Sequence, residues 1–302
     1  MSRFRALLSR QRSARVLMYH RIHPERAWLN VSPEDFLWQM RLIKAFFTPI
    51  SLGELVDCLR SGRLLPSRAV VITFDDGYRD NYEKAFPILR RLGIPATFFV
   101  TTGLIERPGY FWWDQVRLGL KDEAQILEAW PEMREELAGL AHPQRVERVT
   151  ERLKQIPHDR ARRILERICL PVAPAEPETM TWSQIREMVR AGMEVGSHTV
   201  SHPILAQQTR EEVEWEVRHS KTVLEQQLGC PVEHFAYPNG RPCDLQPDLP
   251  RILEEAGYLS ACTTVERFVG AHSSVYGLER LGVSGFDPPV KFLLRLTGLW
   301  PR

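Results

Sequence analysis

Residues 69–77, Ala-Val-Val-Ile-Thr-Phe-Asp-Asp-Gly, constrain this chain more than any other stretch. Ala69, Val70, Val71 and Ile72 are apolar without alternation, the pattern of a strand buried on both faces of a parallel sheet. The run passes through Thr73 and Phe74 and ends in Asp75, Asp76 and Gly77. Parallel α/β folds place their chemistry at such C-terminal strand ends. Side chains alternate along a strand, but a turn can bring both carboxylates to one site, and Gly77 supplies a permissive backbone for it. An isolated Asp-Asp-Gly is also a common strand-terminating turn, so the rest of the chain has to decide.

Around this stretch strand and helix patterns alternate. Arg15–His20 reads as a short strand ending in histidine. Ser32 and Pro33 open a helix carried by Phe36, Met40, Ile43 and Phe47, an N-cap followed by proline in the first turn. A strand start at Thr48 leads to a helix capped by Ser51. Asp80–Leu92 reads as a helix closed by Gly93, and Pro95–Val100 as a strand. The rhythm resumes with a helix from Thr181, a strand over Met193–Ser197 and a long helix from Gln208 to Leu228. Then come a strand over Val232–Tyr237, a helix over 247–257, a strand over 258–263 and a last strand over 277–283. Seven or eight strands, most followed by a helix, imply a distorted (β/α)7-8 barrel, with a doubly wound open sheet as the alternative. Residues 106–179 break the rhythm with a charged helical stretch punctuated by Pro131, Pro143 and Pro157, and a proline-rich run over 171–177. The expectation is one barrel domain over 1–302 carrying a helical insertion at 106–179.

Composition narrows the function classes. A net charge of +2 and the lack of a dense Lys/Arg run argue against nucleic acid as a partner. Five scattered cysteines with no C-x-x-C argue against a disulfide framework or zinc knuckle and suit a reducing compartment. No run approaches the roughly 20 apolar residues of a membrane span, and the first residues lack the apolar centre of a secretory signal. The expected place is the cytoplasm. Peripheral contact at the inner face of the membrane is an option through the short amphipathic segments Phe4–Leu8 and Lys291–Trp300.

A second motif sits at another strand end: His198 and His202, four residues apart. That spacing lets two imidazoles converge on one ion. Joined to the Asp75–Asp76 pair, they supply two nitrogens and a carboxylate oxygen, a set suited to Zn2+ or another divalent transition metal. Such a site leaves positions open for water and substrate, as catalytic rather than structural metal sites do. The second carboxylate then has a role: taking the proton of an attacking water.

Thr73-Phe-Asp-Asp-Gly77, Ser197-His-Thr-Val-Ser-His202 and Phe235-Ala-Tyr-Pro-Asn-Gly240 resemble the first three motifs of the polysaccharide deacetylase family, carbohydrate esterase family 4. The resemblance covers about 16–103 and 181–283, and leaves the insertion unexplained. It implies a distorted barrel that hydrolyses N-acetyl groups of amino sugars. It implies Asp75 as general base, and Asp76, His198 and His202 as ligands of a divalent metal, Zn2+ first, with Co2+, Ni2+ or Mn2+ as alternatives. It also places the turn at Asn239 where the family aims a backbone N–H at the developing oxyanion. The implied partner is a carbohydrate bearing an N-acetylated amino sugar.

The departures are as informative. The third motif usually carries arginine where Ala236 stands and tyrosine where Asn239 stands; a backbone donor survives the latter change. Arg280, in Leu278-Glu-Arg-Leu-Gly-Val283, is the candidate replacement for the missing arginine. The family's late leucine-x-histidine acid is absent, and His20 is the candidate substitute. One branch of the family carries the acid-bearing strand at the N-terminus, as if permuted. Trp112, Trp113, Trp182 and Tyr237 are candidates for a sugar-stacking platform or for packing. Two other readings stay open: a hydrolase of another non-peptide C–N bond, such as a formamide on a lipid-linked sugar, and a non-catalytic carbohydrate-binding protein on the same fold.

Overall fold

The computed structural model describes residues 13–25, 27–107, 111–120, 123–156, 158–168 and 177–299. Seven parallel strands form the frame: β1 (Arg15–Tyr19), β2 (Ala69–Phe74), β3 (Thr97–Val100), β4 (Glu194–Ser197), β5 (His234–Ala236), β6 (Ser260–Cys262) and β7 (Leu281–Gly282). Their spatial order is β7-β1-β2-β3-β4-β5-β6, with a two-residue strand, Thr48–Pro49, paired to the start of β2. A parallel bridge between Cys262 and Leu278, with the Thr263 N–H donating to the Leu278 carbonyl at 2.8 Å, joins β6 to the run leading into β7. The sheet thus curls round on itself as a barrel, and the first strand lies between the second and the last.

Side-chain alternation sorts each strand into an outer and an inner face. On β2, Val70, Ile72 and Phe74 face outward into a core shared with Phe36, Met40, Leu89, Ile185 and Val217 of the surrounding helices. Ala69 and Val71 face inward with Val16, Phe99, Ala236, Cys262 and Leu278, closed off by Leu52, Leu55 and Val56 of helix Leu52–Ser61. Continuing the two-residue period, Thr73 and Asp75 follow Val71 on the inner face. His20 follows Val16 and Met18, and Arg280 follows Leu278. The register pairs Val16 with Val71 and Met18 with Thr73, which sets His20 level with Asp75 at the barrel mouth.

The caps expected at Ser32 and Ser51 are observed, and two further helices carry caps of their own. Ser32 and Ser51 accept from Asp35 and Glu54 N–H at 3.1 Å, and Thr181 and Thr209 form capping boxes with Gln184 and Glu212. Gly93 and Gly229 close their helices at φ 61° and 69°, the left-handed conformation that glycine adopts without a Cβ penalty.

The chain divides into two compact units, 1–106 with 179–302, and 107–178. The inserted residues bury Val116, Leu120, Ile126, Trp130, Met133, Leu137, Val149, Leu153, Ile164 and Ile168 in a core of their own. Ile126/Trp130, Val149/Leu153 and Ile164/Ile168 are four apart, so each helix contributes one apolar stripe. The proline-rich run lies mostly outside the described residues, as do Phe4–Leu8 and Trp300. No described helix is long and apolar enough to cross a membrane.

Candidate active site

Asp75 and Asp76 reach one site because the backbone reverses between them. Asp75 is held as a continuation of β2 by its N–H donating to the Tyr19 carbonyl at 2.9 Å. At Asp76 φ is +76° and at Gly77 +85°, so Asp76 is not thrown to the outer face as an extended strand would demand. Thr199, His202 and Asn239 also have positive φ, at 68°, 60° and 57°. Four of the six non-glycine residues with positive φ among the described residues thus lie in the three site loops. Each costs on the order of 1 kcal/mol or more and persists only where surrounding bonds hold it. Those bonds are present: Thr101 N–H to the Asp76 carbonyl at 3.4 Å, His202 N–H to Thr199 Oγ1 at 2.9 Å, and Thr264 Oγ1 to the Asn239 carbonyl at 2.6 Å.

The Asp76 carboxylate Oδ1 lies 3.6 Å from His198 Nε2 and 3.5 Å from His202 Nε2. Donors about 2.0–2.2 Å from a tetrahedral Zn2+ stand about 3.4 Å apart, so the three fit around one small divalent ion. The donor chemistry fits as well. His198 Nδ1 bonds the Ala236 carbonyl at 2.7 Å, which makes Nδ1 the donor and leaves Nε2 with its lone pair towards Asp76. Burial lowers the His198 pKa from its ordinary value, against the raising effects of Asp75 and of the Ala236 bond. A neutral imidazole is the form that ligates.

Asp75 has a different partner. Arg280 Nη1 and Nη2 donate to its two carboxylate oxygens at 2.7 Å each, and the guanidinium is 0% exposed. Arg280 Nε donates to the Thr263 carbonyl at 2.8 Å, and Nη1 also reaches Thr73 Oγ1 at 3.3 Å. The charge is therefore both paired and hydrogen-bonded, the condition for burying it. Burial pushes the Asp75 pKa up, but Arg280, with His198 and His20, more than offsets this and brings it down to about 2. Arg280 lies over the Phe99 ring at 5.7 Å, in the interior that Ala236 also lines. The guanidinium thus enters the barrel interior from position 280, where Ala236 contributes only a methyl group.

The His20 carbonyl accepts from Asn81 Nδ2 at 2.7 Å. Behind it Arg21 Nε pairs with Asp80 Oδ2 at 2.8 Å, and Asp80 Oδ1 accepts the Ile22 N–H at 3.0 Å. The structure thus gathers Asp75, Asp76, His20, His198, His202 and Arg280 at one mouth. Asn239 stands on the turn that follows β5. Tyr237 is corrected as a stacking residue: it is 1% exposed, its hydroxyl donates to the Tyr276 carbonyl, and no sugar ring can reach its face. Trp182 is half-buried against the barrel core, while Trp112 and Trp113 belong to the inserted unit, where Trp113 stacks on Phe111 at 4.5 Å. Sequence reasoning missed Asp80, Arg21, Glu216 and Ser220, all polar and buried behind the site. Their only signal was to be polar residues on otherwise ordinary strands and helices.

The polysaccharide deacetylase family profile matches residues 63–261. A poly-beta-1,6-N-acetyl-D-glucosamine N-deacetylase of Escherichia coli (strain K12) is 34% identical over 104 residues, which is 34% of this chain and 14% of that protein. A putative polysaccharide deacetylase, YxkH, of Bacillus subtilis is 23% identical over 270 residues, 89% of this chain and 71% of the relative. Among solved structures, the Streptococcus pyogenes deacetylase PplD in complex with acetate superposes with a TM-score of 0.65 at 23% identity, covering 94% of this chain and 98% of that one. At that identity the likeness concerns the fold.

Proposed function

Since the chain belongs to the polysaccharide deacetylase family, we propose that it is a metal-dependent hydrolase that removes N-acetyl groups from a glucosamine-containing glycan. The observation that carries this reading is the division of labour between adjacent carboxylates. Asp76 faces two imidazole nitrogens at 3.5–3.6 Å, while Asp75 is clamped by Arg280 at 2.7 Å. A protein that only bound sugar would need neither arrangement.

Asp76, His198 and His202 would hold the ion, and Zn2+ suits two nitrogens and one oxygen best. When bound, it supplies Lewis-acid polarisation of the acetamide carbonyl and lowers the pKa of a coordinated water to about 7. Asp75 accepts the proton of the attacking water. Arg280 holds that carboxylate ionised and aimed along its two 2.7 Å bonds. So paired, Asp75 is a weak base in the resting site, and the acidity that a bound ion would lend the attacking water is what would let it take the proton. The Asn239 N–H, on its left-handed turn, donates to the oxyanion as charge develops. His20, level with Asp75 on the neighbouring strand, protonates the departing amine, for which an imidazole is the apt group at neutral pH. The amine leaves as a free glucosamine nitrogen, and acetate remains.

The test is acetate release from N-acetylglucosamine oligomers by protein loaded with Zn2+ or Co2+. The expected outcome is metal-dependent release that Asp75→Asn abolishes. No release from any amino-sugar oligomer by fully metallated protein would return the chain to the carbohydrate-binding reading.

A further inference from the structure

Helix Arg210–Leu228 packs Val213, Val217 and Leu224 into the core, and beside them it buries the polar Glu216 and Ser220, one turn apart. Both point at the segment that carries the two histidines. Glu216 Oε2 accepts the backbone N–H of Val200 at 2.7 Å and of Ser201 at 3.1 Å, and its Oε1 accepts the Ser201 hydroxyl. Ser220 Oγ bonds Ser197 Oγ at 2.7 Å, and Ser197 Oγ in turn accepts the Thr199 N–H at 3.2 Å. One helix face therefore grips the chain immediately before His198 and again between His198 and His202.

That grip falls where the backbone is least able to hold itself. Thr199 and His202 both have positive φ, and the segment follows no regular ladder. A buried carboxylate accepting two backbone N–H groups and a hydroxyl is one of the stronger ways to fix such a turn. On the opposite side Gly103 donates its N–H to the Val200 carbonyl at 2.8 Å, and a Cβ there would meet that oxygen at 2.5 Å. The loop is held from both sides by the protein's own groups.

We propose that Glu216 and Ser220 form a two-point clamp that sets the metal affinity of the Asp76–His198–His202 site by pre-forming the histidine loop. They are positioning residues: neither side chain is a ligand, and each acts through the backbone that carries His198 and His202. Without the clamp, an arriving ion must itself order the loop, and the lost freedom is subtracted from its binding. This rests on the metal-site reading above, but not on the identity of the glycan or on turnover.

The experiment is a competition titration of metal-free full-length protein with Zn2+ against a chelating dye, repeated with Co2+ by its visible absorption. Glu216→Gln keeps the size and removes the charge; it is expected to weaken metal binding about 10- to 100-fold, the range for lost outer-sphere partners. Ser220→Ala is expected to weaken it less, in the same direction. A merely structural role would lower the melting temperature of metal-free protein and leave the affinity of the folded fraction unchanged, which overturns the proposal. If Glu216→Gln does not fold, Ser220→Ala and Ser201→Ala decide the matter: weakened affinity supports the clamp, and wild-type affinity overturns it. Wild-type protein that binds neither ion would overturn the metal site and the clamp together. Unchanged variants of a metal-binding protein would overturn the clamp alone.

Discussion

Arg280 meets Asp75 in a two-pronged ion pair, both bonds 2.7 Å long, with the arginine wholly buried. The two residues are 205 positions apart, and they meet because the last strand closes against the first and places both on the interior face. The pair orients the proposed base and at the same time makes each partner dependent on the other.

Removing one partner should therefore be worse than removing both. Arg280→Met is expected to destabilise by about 3–5 kcal/mol, because Asp75 is left as an uncompensated buried charge. Adding Asp75→Asn should restore much of that loss. Urea denaturation of the two single variants and the double variant measures it; additive losses would show that the pair contributes no coupling.

The two aspartates should separate cleanly. Asp75→Asn is expected to lose turnover while binding about one metal ion per chain, whereas Asp76→Asn loses the ion itself. Elemental analysis alongside acetate release reads both. Metal loss in Asp75→Asn with retention in Asp76→Asn would reverse the assignment.

His20→Ala should lower kcat by about 10²–10⁴-fold, the usual worth of a positioned general acid, and leave metal affinity near wild type. The deficit should shrink on a substrate whose leaving group needs no proton, such as an activated aryl acetate. A near-normal rate on the amide would remove His20 from the mechanism.

Burial holds His198 and His234 below the ordinary histidine pKa of 6.5. Below that value the unfolded chain takes up protons that the folded one refuses, so stability must fall as pH drops beneath about 6.5. Thermal melts of metal-free protein between pH 8 and pH 5 should show the decline, with His234→Gln softening it. Asp75 is also shifted down, from 3.8 to about 2, but here burial pushes the other way and the Arg280 charge overrides it. Its stabilisation is complete above the unfolded value and is lost only as pH falls through about 2. It stays ionised at any working pH, so the acid limb of the rate profile should survive in Arg280→Lys.

Gly103→Ala should disturb the histidine loop, since its Cβ would stand 2.5 Å from the Val200 carbonyl. A shift of that backbone costs about 1–3 kcal/mol. Calorimetry and metal titration are expected to fall together, and a variant with wild-type melting would show that the two loops move apart freely.

Much of this site could be read from the chain alone. The apolar run at 69–72 specified a two-face-buried strand, and the capping residues Ser32 and Ser51 marked helix starts, because propensity and capping act over a few neighbouring residues. The pairing of Asp75–Asp76 with His198 and His202 was legible because each pair is local and both fall at strand ends. Arg280 and His20 could be named as candidates, since the chemistry left two roles unfilled. Their meeting at one mouth needed the barrel to close and its register to bring His20 level with Asp75. Tertiary structure alone decided the rest. The positive φ that turns Asp76 inward is imposed by bonds from distant loops. The clamp of Glu216 and Ser220 is invisible in the sequence of a long amphipathic helix, where a glutamate and a serine read as part of its polar face. Residues 107–178 hold a core of their own, which apolar spacing cannot assign to one unit or another. Local sequence determines which elements form, because their energies are local. Which polar groups are buried together depends on contacts across 100–200 residues, and only the folded chain makes those.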